Sequence, residues 1–269
     1  MKTKYQGNGY ALVTGATGGL GRAFAFALAK RGKRLILTGR NAEKLATLQA
    51  ELFGQYPNAD ILIFAANLQN EADRYALNEK IVCAGAKISL LANVAGVDVQ
   101  KAVEQYSQEK LVMQCRVNFE AAVSLCRFAI ENRAERLEII NVSSVSGIYP
   151  MPYFAVYSAT KSALASFSVA LREELKGKNA AVTAVLPGAI PTREDIKRQI
   201  KGQGVWGKLA AKSSDWVAEY ALKAVAKNKR KVIPGFWNKA MRFFTALLPM
   251  SVKLKFIAKR WSKLQKDAF

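Results

Sequence analysis

The 269-residue sequence contains no histidine. That absence removes the Ser-His-Asp and Cys-His routes to nucleophilic catalysis, and with them the common His-ligated metal sites. Any acid or base at work must be a tyrosine, a lysine, a carboxylate or a thiol. Cysteine is nearly as scarce: Cys83, Cys115 and Cys126 stand far apart, with no CxxC spacing. An odd, scattered set predicts reduced thiols packed in the core of a cytoplasmic protein, not a disulfide framework. Long apolar runs are missing too. The longest charge-free stretch, residues 139–160, carries Asn, Ser and Pro and does not read as a membrane span. Lys2 and Lys4 precede only a short apolar run, Tyr10 to Val13, so no secretory leader is expected. Without linker-like or low-complexity segments, the length fits one large α/β domain.

Acidic residues are few. Against 41 Lys and Arg stand 20 Asp and Glu, a formal charge of +21. Such an excess asks for an anionic partner, and nucleic acid, a membrane surface and an acidic small ligand all qualify. With no zinc-knuckle spacing and no basic region joined to heptads, a specific nucleic-acid reader is not expected.

What is present alternates. Tyr10–Thr14, Arg34–Gly39, Asp60–Ala66, Ile88–Asn93, Leu137–Val142 and Ala181–Leu186 read as buried strands. Between them lie helical patterns at Arg22–Arg31, Asn41 to about Phe53, Glu71–Cys83, Ser107–Arg133 and Phe154 to about Leu175. Strict alternation predicts a doubly wound parallel sheet covered on both faces, a Rossmann-type α/β fold.

Three stretches carry chemistry. After the first strand, Gly15, Thr17, Gly18, Gly19, Leu20 and Gly21 form a TGxxxGxG turn. Glycines there let the backbone approach a phosphate at the positive end of the following helix. After the second strand stands Arg40, where an acid would bind a ribose 2′-hydroxyl. A cation favours a 2′-phosphate, hence NADP(H) over NAD(H); the competing reading is a plain surface arginine. The third stretch is residues 141–161. Tyr157 and Lys161 are four apart, so one helical face presents a phenol and an ammonium together. Ser144 waits at the preceding strand end. An ammonium favours phenolate and brings a tyrosine towards use as a general acid or base. By themselves a Tyr and a Lys at that spacing are more often a half-buried ring beside a solvated charge.

Taken together, the motifs TGATGGLG (14–21), NVAG (93–96), Asn118, Ser144, YSATK (157–161) and PGAIPT (187–192) resemble the short-chain dehydrogenase/reductase family through about Ile233. The resemblance implies hydride transfer between a nicotinamide and a carbonyl or alcohol. Tyr157 would be the acid/base, Lys161 would bind the nicotinamide ribose and lower the tyrosine pKa, Ser144 would orient the carbonyl, and Asn118 would hold a water in the proton relay. Cofactor contacts would come from the glycine turn, Arg40, Asn67, Leu68, Asn93, Ala95, Gly96, Tyr157, Lys161, Pro187, Gly188, Ile190 and Thr192. Asn67 replaces the family's usual acid at the adenine, and Val94 replaces the second Asn of NNAG. The family is often dimeric or tetrameric. A non-catalytic NADP-binding regulatory or membrane-interaction protein is the alternative, although a purely binding role does not require the acid/base.

Two segments lie outside this pattern. Residues 192–212, with Gly202, Gly204 and Gly207 around Trp206, suit a mobile substrate lid. From Arg230 to Phe269 there are ten Lys or Arg and one acid, Asp267. Met250, Leu254, Ile257, Trp261 and Leu264 make one helical stripe, which Val252 and Phe256 spoil. Such an extension (234–269) either lies in an anionic membrane interface, making a hydrophobic or lipid-derived ketone the expected substrate, or packs on the enzyme or a second subunit.

Overall fold

The computed structural model describes residues 9–192, 196, 198, 200 and 209–262. Seven strands form one sheet: β1 (Tyr10–Thr14), β2 (Arg34–Gly39), β3 (Ile61–Ala65), β4 (Ile88–Asn93), β5 (Arg133–Val142), β6 (Ala180–Val185) and β7 (Lys231–Val232). Their order is β3-β2-β1-β4-β5-β6-β7, and every pairing is parallel. The chain winds outward from β1 to β3, then crosses back so that β4 lies on the other side of β1. That reversal opens a crevice at the carboxyl ends of β1 and β4, where this class of sheet binds ligands.

Both faces are covered. Ala11, Val13, Leu35, Leu37 and Ile140 point to one layer, formed with α1 (Gly19–Ala29), α2 (Ala42–Gln55) and a later helix, Ser214–Ala226. Tyr10, Leu12, Ile36, Leu91 and Ile139 point to the other, with α3 (Glu71–Cys83), α5 (Ala121–Glu131) and α6 (Ala155–Glu174). A strand buried on both faces has no polar side to show, hence the continuous apolar runs in the sequence. Asn41, Asn70 and Ser213 cap their helices, each side-chain oxygen accepting a backbone N–H.

Three sequence expectations change. The helix expected over Ser107–Arg133 is α4 (Gln108–Cys115), a single π turn (Arg116–Glu120) and α5, ending at Glu131. The widened turn carries Asn118 into the interior, and apolar periodicity is blind to one inserted residue. Strand β5 starts at Arg133, not Leu137, because its first residues pair irregularly with β4, where the register shifts between Ile88 and Leu90. Of the three thiols only Cys126 is core-packed, its pKa pushed up to about 12 by burial; Cys83 and Cys115 are exposed.

Beyond α7 (Ser214–Ala226) and β7 the described part of the extension forms two helices, α8 (Phe236–Ala246) and α9 (Met250–Trp261), separated at Pro249. Among the described residues no helix is long and apolar enough to cross a membrane.

Candidate active site

At the carboxyl ends of the strands lies a cavity of about 900 Å³. Gly15, Thr17, Gly18, Gly19, Leu20, Gly21, Arg40, Asn67, Leu68, Ala95, Gly96, Ser144, Tyr157, Lys161, Pro187, Gly188, Ile190 and Thr192 all line it. Residues spread over almost 180 positions thus meet in one crevice.

The glycine turn is shaped for close approach. Gly15 has φ +62°, and a Cβ there would meet the Ala95 backbone at 2.9 Å. A Cβ on Gly21 would stand 2.1 Å from the Gly15 carbonyl oxygen, so the turn closes tightly only without side chains. Thr14 fixes this turn to its neighbour: its Oγ1 accepts from the N–H groups of Val94 and Ala95, at 2.9 and 3.0 Å. The bare backbone beside the start of α1 suits a pyrophosphate. At the far end Arg40 and Lys44 both line the cavity, a pair of cations able to take a phosphate group. The side-chain Oδ1 of Asn67 accepts from the Gln69 N–H at 3.3 Å. These residues fit a dinucleotide.

The reacting end is assembled from β5, the turn after it and α6. Ser144 caps a short 3₁₀ turn (Val145–Gly147), its Oγ accepting from the Ser146 N–H at 3.1 Å. That leaves the hydroxyl proton available to a ligand. Ser143 Oγ donates to the Lys161 carbonyl at 2.6 Å, and Val145 N–H to the Pro187 carbonyl at 3.0 Å, so the turn is held to both α6 and the end of β6. Lys161 is buried, its Nζ 3.0 Å from the Val142 carbonyl oxygen and 5.8 Å from the centre of the Tyr157 ring. Loss of water lowers its pKa to about 8, while the charge of Asp98 pulls the other way. Below that pH the site holds an ammonium beside the phenol.

Two predicted residues stand behind the wall. Asn93 is buried; its Nδ2 donates to Asn141 Oδ1 at 2.8 Å, and Asn141 Nδ2 donates to Ser168 Oγ at 2.9 Å. This chain of hydrogen bonds ties β4 and β5 to α6 and holds the helix of Tyr157 and Lys161 against the sheet. Asn118 Oδ1 accepts from the Val97 N–H at 2.8 Å and its Nδ2 donates to the Val97 carbonyl at 2.9 Å. Both side-chain atoms therefore pin the segment that follows β4. Gly96 lies between: a Cβ there would stand 3.2 Å from Lys161 Nζ and 3.3 Å from Asn118 Oδ1.

This geometry accords with comparison to known proteins. A family model described as short chain dehydrogenase matches residues 9–201. The chain belongs to the short-chain dehydrogenase family. Very-long-chain 3-oxoacyl-CoA reductase from Bos taurus is 33% identical over 201 residues, covering 70% of this chain and 62% of the relative. The match thus spans less than two thirds of that relative's length. Dehydrogenase/reductase SDR family member 7B from Mus musculus is 28% identical over 274 aligned positions, 98% of this chain and 84% of its own. A solved structure, described in a study of 7beta-hydroxysteroid dehydrogenase stereoselectivity, superposes with a TM-score of 0.81. It covers 96% of this chain and 99% of that one at 22% identity, a shared fold.

Sequence reasoning did not reach one wall of the cavity. Met241, Arg242 and Thr245 of α8, and Ile257, Arg260 and Trp261 of α9, line the end near Tyr157. Trp261 stacks on Phe154, centroids 5.4 Å apart at 15°, and Phe154 stacks on Tyr157 at 4.3 Å. The stripe through Met250, Leu254, Ile257, Trp261 and Leu264 was the available signal: Ile257 and Trp261 line the cavity, Met250 is exposed, and Leu264 lies outside the described residues. Of the expected lid, Ile196, Ile200 and Ala210 line the cavity; residues 193–195, 197, 199 and 201–208 lie outside the described residues.

Proposed function

We propose that this protein reduces a hydrophobic ketone with NADPH, or runs the reverse oxidation of a secondary alcohol. The observation that carries the reading is the convergence of Ser144, Tyr157 and a buried Lys161 on one cavity whose other end bears Arg40 and Lys44. When bound, the cofactor supplies the hydride for the carbonyl carbon. The glycine turn would receive its pyrophosphate, Arg40 and Lys44 its 2′-phosphate, and Pro187, Ile190 and Thr192 its nicotinamide end.

The remaining steps belong to the chain. Ser144 donates a hydrogen bond to the carbonyl oxygen and fixes its direction. Tyr157 gives its phenolic proton to that oxygen as charge develops there, a step of general acid catalysis. The Lys161 ammonium stabilises the phenolate left behind, and solvent returns the proton. Asn118 acts on this arrangement by holding the segment from Ala95 to Val97 in place. The water it would hold in the proton relay remains part of the proposal.

Substrate class follows from the wall beside Tyr157. Ile148, Met151, Phe154, Ile257 and Trp261 line it beside Arg242 and Arg260, and its apolar part favours a bulky or lipid-derived ketone. The names of relatives that act on 3-oxoacyl-CoA and hydroxysteroids support the same class. The reading carries a homo-oligomer, dimer or tetramer, and a cytoplasmic location, in keeping with three unpaired thiols.

The test is NADPH consumption by the purified protein with a panel of aromatic ketones, steroids, sugars and 3-oxoacyl thioesters. Turnover of one class, reduced by about 10²-fold or more in Tyr157→Phe while NADPH binding persists, is the expected result. Tight NADPH binding with silence across the panel overturns it in favour of a regulatory nucleotide-binding protein.

A further inference from the structure

The extension carries two apolar faces. One, through Met241, Ile257 and Trp261, forms the end wall of the cavity. The other is turned outward: Phe236 is 72% exposed, Phe243 66%, Phe244 67%, Leu247 73% and Phe256 71%. Of the 15 large apolar side chains exposed on the described surface, ten lie between Phe236 and Phe256. So dense a patch on two short helices exceeds the scattered exposure normal for a soluble surface.

The hairpin is nonetheless a fixed part of the molecule. Asn238 is buried and donates to the carbonyls of Pro234 and Ala210 at 2.8 and 3.0 Å. The Tyr149 hydroxyl meets Thr245 Oγ1 at 2.8 Å, and Lys253 Nζ lies 4.8 Å over the Tyr149 ring. With Trp261 on Phe154, both helices are anchored to the loop that carries the catalytic turn. Among the described residues nothing covers the outer face, although the hairpin itself is held in place.

Charge selects the occupant. Between Arg230 and Ser262 the sequence holds no acid, and Lys239, Lys255 and Lys259 on the same two helices, with Lys231 on β7, are exposed. A second copy docking face to face would bring two such basic surfaces together, which like-charge repulsion opposes. An anionic lipid surface meets both needs, taking the aromatic and aliphatic tips into the headgroup boundary while the lysine stems reach the phosphates.

We propose that the outer face of α8 and α9 rests on an anionic membrane surface, so that the cavity they wall off receives its substrate from the bilayer. Phe256 joins the two halves of this statement, since it both lines the cavity and is largely exposed. The docking stands on surface chemistry alone; only the nature of the incoming substrate rests on the reductase reading.

The experiment is co-sedimentation of the full chain with phosphatidylcholine vesicles, with and without phosphatidylserine, for the wild type and for Phe243→Ser/Phe244→Ser/Leu247→Ser. None of these three side chains lines the cavity. The wild type is expected to bind the phosphatidylserine vesicles preferentially and to be released by salt. The triple variant, with unchanged circular dichroism, should bind about tenfold more weakly or less. It should still turn over a water-soluble ketone at the wild-type rate, with a raised KM only for a ketone dissolved in vesicles. Undiminished binding by the variant, no preference for phosphatidylserine, or a wild-type dimer that the variant splits without any vesicle binding would each overturn the proposal. Failure of the reductase reading would appear separately, as no turnover of the water-soluble ketone.

Discussion

The backbone of Gly147 presses against that of Lys161: a Cβ on Gly147 would stand 2.7 Å from the Lys161 carbonyl carbon and from the Ser162 nitrogen. This contact sets how far the turn carrying Ser144 sits from the helix carrying Tyr157. A side chain at 147 must push the two apart. Gly147→Val is expected to lower kcat by about 10²-fold, the cost of misplacing a catalytic group by roughly 1 Å, with NADPH binding little changed. Steady-state kinetics beside a binding titration check this; equal losses in both would mean the whole sheet edge has moved.

Trp261 reaches the site from the end of the chain. Its stacking on Phe154 is worth about 0.5–1.5 kcal/mol beyond buried area, and its loss would open the apolar wall. Trp261→Ala should raise KM for bulky ketones about tenfold while leaving kcat for small ones within about twofold. A KM series across ketones of increasing size reads this out.

At the opposite end, Arg40→Asp is expected to weaken NADPH binding much more than NADH binding. A single charge-assisted phosphate contact is worth about 1.5–3 kcal/mol, or roughly 10- to 100-fold. Lys44→Ala should act in the same direction. Titration with both cofactors decides it, and equal effects on the two would remove the assignment of a 2′-phosphate site.

The pKa of Lys161 predicts a pH signature in stability. It falls from the ordinary 10.5 to about 8 because the ammonium is buried. Below pH about 8 the lysine is protonated in both folded and unfolded states, and the burial penalty is present in full. Between about 8 and 10.5 only the unfolded chain holds the extra proton, so stability rises with pH, by at most about 1.4 kcal/mol per unit. Lys161→Met should lose this rise. Denaturant titrations of the cofactor-free pair across that window measure it.

The parallel sheet, and the placing of Tyr157 beside Lys161, are legible in the chain before it folds because both depend on short-range order. Apolar runs such as Leu35 to Leu37 declare strands buried on two faces, and Tyr157 and Lys161 share a helical face whatever surrounds them. The glycine turn is likewise local, since Gly15 and Gly21 close on each other. Tertiary structure decided what depends on partners far apart in the chain. Asn93 looks like a ligand-facing residue until Asn141 and Ser168 are brought beside it; Asn118, on the π turn, is held inward by two hydrogen bonds to Val97. The extension shows this most fully. Its stripe announced a helix face to be covered, but an amphipathic period does not say by what. Only the fold sets Trp261 on Phe154, 107 positions away, and leaves Phe243, Phe244 and Leu247 facing outward.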